Sequence, residues 1–447
     1  MSLRVALSLG LWLALAACSG GLSKEELRDP ESCRDCHGEI VRQWSGSMHA
    51  YAGDDPVFRA MNALGQRRTG GALGDFCVKC HAPLAVLSGA TKDGLNLAEL
   101  PATERGVTCY FCHQVDEVTG THNAALRLKE DGILRGSIRD PVDSGAHASV
   151  YSKLHDREEL ESSSMCGACH DVVTPTGLAL ERGFAEWKDT LFANPSNKER
   201  LSCGACHMPG HDGLVATKPA GLPVRRVKSH LFPAIDTALI DFPERDAQRF
   251  SVQTELDTTI LATMCVFPTM TGANVQIDLE NIAAGHHFPS GAALDRRVFV
   301  ELRAFFGGRV IYETGVREPF EVVTSTRDPD LWLFREQAFD AAGHEVHQFW
   351  EGVRSESSVL PGPVTRDPTD PRFNDTHRRK TFSLTRQPDR LTMRVRVQPI
   401  ARETLDELVA EGLLDPAVRD AMPILDVGAT VLEWTAESAD FCVPKRN

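Results

Sequence analysis

Past its first seventeen residues the chain has no apolar run of transmembrane length, which excludes a later helical span. It also lacks an excess of positive charge. Its 48 Lys and Arg stand against 62 Asp and Glu, a formal charge of −14, so no basic face for nucleic acid is expected. A third shortage is local: residues 33–235 are thin in apolar side chains and heavy in Gly, Pro, Asp and Ser. That content cannot fill an ordinary core across about 200 residues, so something other than side chains must supply buried apolar surface there. The whole length of 447 residues admits two or three domains.

What is abundant is one motif. Cys-x-x-Cys-His occurs at Cys33-Cys36-His37, Cys77-Cys80-His81, Cys109-Cys112-His113, Cys166-Cys169-His170 and Cys203-Cys206-His207. Each is the covalent attachment signature of c-type haem. The two sulfurs add to the haem vinyl groups, and the adjoining His reaches the iron as proximal ligand. Residues at i, i+3 and i+4 lie on one side of a helical turn, so one turn presents all three groups. Paired cysteines also make zinc sites, but zinc does not require His directly after the second Cys, and five hooks do not divide into closed four-ligand pairs. Five covalent haems are expected. They leave roughly 40 residues for each, too few to enclose a cofactor in side chains alone, so the porphyrins must lie close together.

The amino terminus has the order of an export signal: Arg4, an apolar run over 5–17, then Leu15-Ala16-Ala17-Cys18. Small residues before Cys resemble a bacterial lipobox, which implies removal of residues 1–17, acylation of Cys18 and an anchor linker over 18–32. An ordinary cleaved signal is the other reading. Ser19 after the cysteine is similar to signals for the outer membrane. Export suits haem attachment, and several acyl chains on Cys18 would hold the protein to a membrane facing periplasm or cell surface.

Beyond residue 250 the pattern changes. Short candidate strands occupy 273–282, 297–306, 310–313, 320–324, 331–340, 347–350, 380–384, 391–398 and 429–435, several alternating apolar and polar residues. Gly307-Gly308 between two of them reads as a hairpin turn. The fold class is therefore α+β: a pentahaem half of short helices and loops over 33–235, then an antiparallel β-sandwich over 250–447 with a helical insertion at 402–422. In the haem half, helices are expected at 39–51, 54–64, before Cys166 and at 184–192. Of thirteen cysteines, ten belong to the motifs and one is Cys18; Cys265 and Cys442 remain, at the two ends of the β half. In an oxidising compartment they are expected to form a disulfide.

A six-coordinate haem needs a distal ligand as well. His49, His122, His147, His155, His211 and His230 are the spare histidines of the haem half. Met48 and Met208 are alternatives, but imidazoles are numerous enough for all-His ligation, which implies low potentials. The distal candidates are His49, His122, His147, His155 and His230. The stretch Cys33-Arg34-Asp35-Cys36-His37, followed by Trp44, Ser47, His49 and Ala50, resembles the opening of the multihaem cytochromes related to cytochrome c-554 and hydroxylamine oxidoreductase. There the His of the Ser-x-His-Ala element is a distal ligand, which the resemblance implies for His49. Gly106-Val107, His147, Glu186-Trp187 and Ser229-His230-Leu231-Phe232 are similar to that pattern too. A second element, Asn281, Gly285-His286 and Phe288-Pro289-Ser290-Gly291, resembles one that opens sandwich domains in exported multihaem cytochromes. His286 is either a ligand donated across the domain interface or part of a structural corner, with the corner favoured.

Three functions fit these observations. An electron carrier would pass electrons among redox partner proteins, other multihaem cytochromes or a membrane electron-transfer complex. A redox enzyme acting on nitrogen or sulfur compounds would need one iron with an open position. A docking module would use the β half to bind a partner. Related catalytic haems often carry Lys for the proximal His, and all five motifs here end in His, which favours the carrier.

Overall fold

The computed structural model describes residues 21–318, 320–437 and 440–444, so the expected leader and Cys18 lie outside the described residues. Among those residues no helix is long and apolar enough to cross a membrane.

Up to about residue 243 the chain runs through short helices, 3-10 turns and two-stranded ribbons. The motif-bearing helices are only a turn or so long, as in Val78–His81, Cys109–Gln114 and Cys203–His207. Thr108 and Ser202 start the last two, their hydroxyls accepting from the backbone N–H of Phe111 at 3.3 Å and Ala205 at 3.1 Å. The helix expected over 39–51 is divided. Arg34–Ser45 stops at Gly46, and Ser47 caps a separate turn, Met48–Tyr51. The helix expected at 54–64 spans Pro56–Arg68, with Asp55 as its cap and Pro56 in its first turn. Ser162–Gly167 leads into the fourth motif, and the helix expected over 184–192 is Gly183–Lys188 followed by the 3-10 turn Leu191–Ala193.

Helix Arg245–Leu256, which the sequence pattern does not single out, leads into the second half. There two antiparallel sheets face each other. One is ordered His377–Leu384, Ala273–Asn281, Ile260–Pro268, Cys442–Val443. The other runs Arg309–Thr314, Arg297–Phe306, Arg390–Gln398, Leu425–Asp426, with Trp332–Phe334 and Leu432–Thr435 paired alongside. Alternate residues point inward. Met264, Val266, Val275 and Ile277 of one sheet meet Val298, Val300, Leu391 and Val395 of the other in one core. Gly307 and Gly308 turn the hairpin with φ of +58° and +75°, a conformation that glycine reaches without a Cβ clash. Cys265 and Cys442 lie opposite each other in neighbouring strands and are joined by a disulfide.

Three expected strands differ. The stretch 331–340 is two strands in two sheets: Trp332–Phe334 pairs with 298–300, and Glu336–Phe339 joins Glu345–Val346 and Arg354–Ser357. Residues 320–324 and 347–350 are irregular. In the latter, Phe349 meets Phe76 with ring centroids 6.0 Å apart, so its apolar side chains serve packing between the halves instead of a sheet. The helical insertion has the same task. Leu405 and Leu408 of Arg402–Ala410 pack on Val57, Ala60 and Leu64 of Pro56–Arg68, and Arg68 reaches Glu411 at 2.6 Å.

Candidate metal centre

The ten motif cysteines are all free, and none is paired as a disulfide. Among the described residues no three His, Cys, Asp or Glu side chains converge as a closed metal site would require. That geometry disfavours structural zinc. The thiols of different motifs are instead neighbours: Cys33 lies beside Cys109, Cys80 beside Cys169, and Cys166 beside Cys203.

Four of the five motif imidazoles are oriented by a backbone carbonyl at Nδ1. The acceptors are Val215 O for His37 at 2.7 Å, Ala52 O for His81 at 3.2 Å, Arg135 O for His113 at 2.5 Å and Pro233 O for His207 at 2.7 Å. An Nδ1–H donated to a carbonyl fixes the tautomer and leaves the Nε2 lone pair for iron. Burial, reinforced by neighbouring imidazoles, pushes His49 down to about 3, and burial pushes His81 and His230 to about 4. These rings are therefore neutral at physiological pH, the form that binds metal.

Two imidazoles that bind one metal from opposite faces, each with a nitrogen–metal bond of about 2 Å, hold their ring centroids roughly 6 Å apart. Three pairs have that spacing and join a motif histidine to a distant one. His37 faces His147 at 6.2 Å, His170 faces His49 at 6.1 Å, and His207 faces His286 at 6.3 Å. The residues present thus fit haem. His286 stands on the loop after Ala273–Asn281, so the β half contributes directly to a site in the haem half. The corner expected there exists as well: buried Asn281 donates Nδ2 to His286 O at 2.8 Å, and Gly285 has φ +74°. Turn and ligand position are the same structure.

The other candidates are placed differently. His155 is 5.7 Å from His113, but its Nε2 lies 2.8 Å from the carbonyl of Cys112, inside the same motif, and its Nδ1 is sealed among protein atoms without a partner. His230 also lies in the field of His113, and its Nδ1 meets Lys228 O at 3.0 Å. His122 is exposed beside Thr121, and His211 is exposed on a ribbon, Gly210–Gly213. Among the described residues no imidazole faces His81 at that spacing. The ring of Phe58 is stacked on it at 3.8 Å with the planes 1° apart. No sequence signal marks Phe58 for that place.

Residues 32–114 match the family model described as cytochrome c554 and c-prime. No curated protein matches the chain. Among solved structures, it is similar to a penta-heme cytochrome c552 from Thermochromatium tepidum, with a TM-score of 0.63 and 20% identity, over 92% of this chain and 99% of that one. Over residues 32–114 the chain is thus similar to a c-type cytochrome family, and its fold is similar to that of a multihaem cytochrome c.

Proposed function

We propose that this chain is a pentahaem electron-transfer protein, exported and lipid-anchored through Cys18, that passes electrons between redox partner proteins. Haem is held at Cys33 and Cys36, Cys77 and Cys80, Cys109 and Cys112, Cys166 and Cys169, and Cys203 and Cys206. The observation that carries the reading is the spacing of imidazoles at 6.1–6.3 Å across three of the five motif histidines. It supports axial pairs His37 with His147, His170 with His49, and His207 with His286. For His113 we take His230 as the partner in preference to His155, whose Nε2 is engaged by the Cys112 carbonyl. Bis-imidazole iron exchanges an electron with little rearrangement and offers no position to substrate. The neighbouring thiols join motifs one and three and motifs two, four and five, and Cys112 of the third motif lies in the field of Cys166 of the fourth, which supports a contiguous relay. Pyridine haemochrome assay with intact mass tests the count: five haems per chain are expected, and three or fewer would overturn the reading. Cys18→Ser should move the protein from the membrane fraction to the soluble one with its haem spectrum unchanged; retention in membranes would refute the anchor.

A second reading rests on His81. Among the described residues no imidazole faces His81 at coordination spacing, so a haem on the second motif would have an open position, the feature a redox enzyme needs. It is compatible with the carrier, since electrons can enter or leave by way of a small molecule bound there. Electron paramagnetic resonance of the oxidised protein separates the two. A high-spin ferric signal favours the open site, and five low-spin centres leave the carrier alone.

A further inference from the structure

The loop that carries His286 is held from the haem half by one carboxylate. Glu186, a buried residue of helix Gly183–Lys188, accepts at Oε2 from the Ser290 hydroxyl at 2.6 Å and the His287 backbone N–H at 3.1 Å. Its Oε1 lies 3.4 Å from Nδ1 of His287. The next residue, Trp187, donates Nε1 to Leu201 O at 2.9 Å, just ahead of the motif that ends in His207. The helix is fastened in turn to the fourth motif: Phe184 N donates to His170 O at 3.2 Å, and Ala185 N to Asp171 Oδ2 at 3.0 Å. Two adjacent side chains on one helical turn therefore grip the segments bearing both imidazoles of the fifth motif. The sandwich holds its own loop through Asn281, and Arg366, which donates to Ile282 O at 2.8 Å and pairs with Glu199 at 3.3 Å, adds a tie to the haem half farther from His286.

We infer that Glu186 is the positioning residue that holds His286 at binding distance from the iron carried on His207. The inference rests on His286 being the distal ligand of that haem. Two charge-assisted hydrogen bonds converge on one carboxylate oxygen, so its removal releases the loop at two points and leaves two partly buried donors without their acceptor. Through this contact, docking of the sandwich sets the coordination, and hence the potential, of one haem.

The test compares Glu186→Ala, Glu186→Gln and His286→Ala in the full-length holoprotein, each checked by intact mass for the unchanged number of attached haems. Glu186→Ala should add a high-spin ferric signal beyond that of the unsubstituted protein, raise the potential of one haem, and return to low spin on addition of imidazole. Glu186→Gln retains an acceptor oxygen and should show markedly less of each effect. Ser290→Ala, which removes one of the two donors, should fall between and guards against a misfolded Glu186→Ala. If His286→Ala opens a site but Glu186→Ala and Ser290→Ala leave spin state and potential untouched, the positioning role is refuted while the ligand assignment stands. If His286→Ala itself stays unchanged, both fall together.

Discussion

The imidazoles of His207 and His286 lie 6.3 Å apart with their planes 2° apart, although one ends a haem motif and the other sits in a turn of the β-sandwich. On the proposed ligation, the sandwich would complete a coordination site of the haem half. Detaching residues after 250 should therefore change the spectrum of one haem as well as solubility.

His49 faces His170 from the short turn Met48–Tyr51, with Phe232 packed edge-on at 4.4 Å. In His49→Ala all thioether attachments should remain, because they depend on the Cys-x-x-Cys-His residues alone. One iron should become high-spin or bind water, and its potential should rise with loss of a strong donor. An entirely low-spin spectrum with no substitute ligand would show that His49 is not axial.

His230 and His155 compete for His113, and the hydrogen bonds choose between them. His230→Ala should open one low-spin centre, while His155→Ala should leave the spin state of every haem unchanged. The reverse result in electron paramagnetic resonance would transfer the assignment to His155.

Among the described residues His81 faces no imidazole at coordination spacing, so the second motif is where a small exogenous ligand should bind. Optical titration of the oxidised protein with cyanide should saturate at one equivalent and abolish the high-spin signal. Uptake of none, with no high-spin signal at the outset, would leave every iron closed.

Cys265 and Cys442 tie the first strand of the sandwich to the last one described, across 177 residues of sequence. Replacing both with Ser should destabilise the β half by about 2–5 kcal/mol in denaturant unfolding, since the closed loop in the unfolded chain is long. The haem spectrum under native conditions should be unaffected. A shift below about 0.5 kcal/mol would mean that the unfolded state is already constrained.

The attachment chemistry was legible along the chain because it is local: Cys, Cys and His at fixed spacing meet one porphyrin through a single turn of backbone. The α+β division was legible too, from the change of apolar periodicity near residue 250 and the two cysteines left over. Axial pairing was not, because it is a distance between segments far apart in sequence. His49, beside the first motif, reaches the fourth; His147 reaches the first; His286 comes from the other half. Near-equivalent histidines such as His122 and His230 differ only in where the folded backbone leaves them, one in solvent and one buried beside His113. Strands at 320–324 and 347–350 failed for the same reason, since the apolar residues of the latter are claimed by contacts with the haem half. Sequence alone set out five Cys-x-x-Cys-His motifs and the attachment chemistry each offers. Tertiary structure decided which imidazole faces which and leaves His81 unpaired, because ligand geometry is set by packing across the fold.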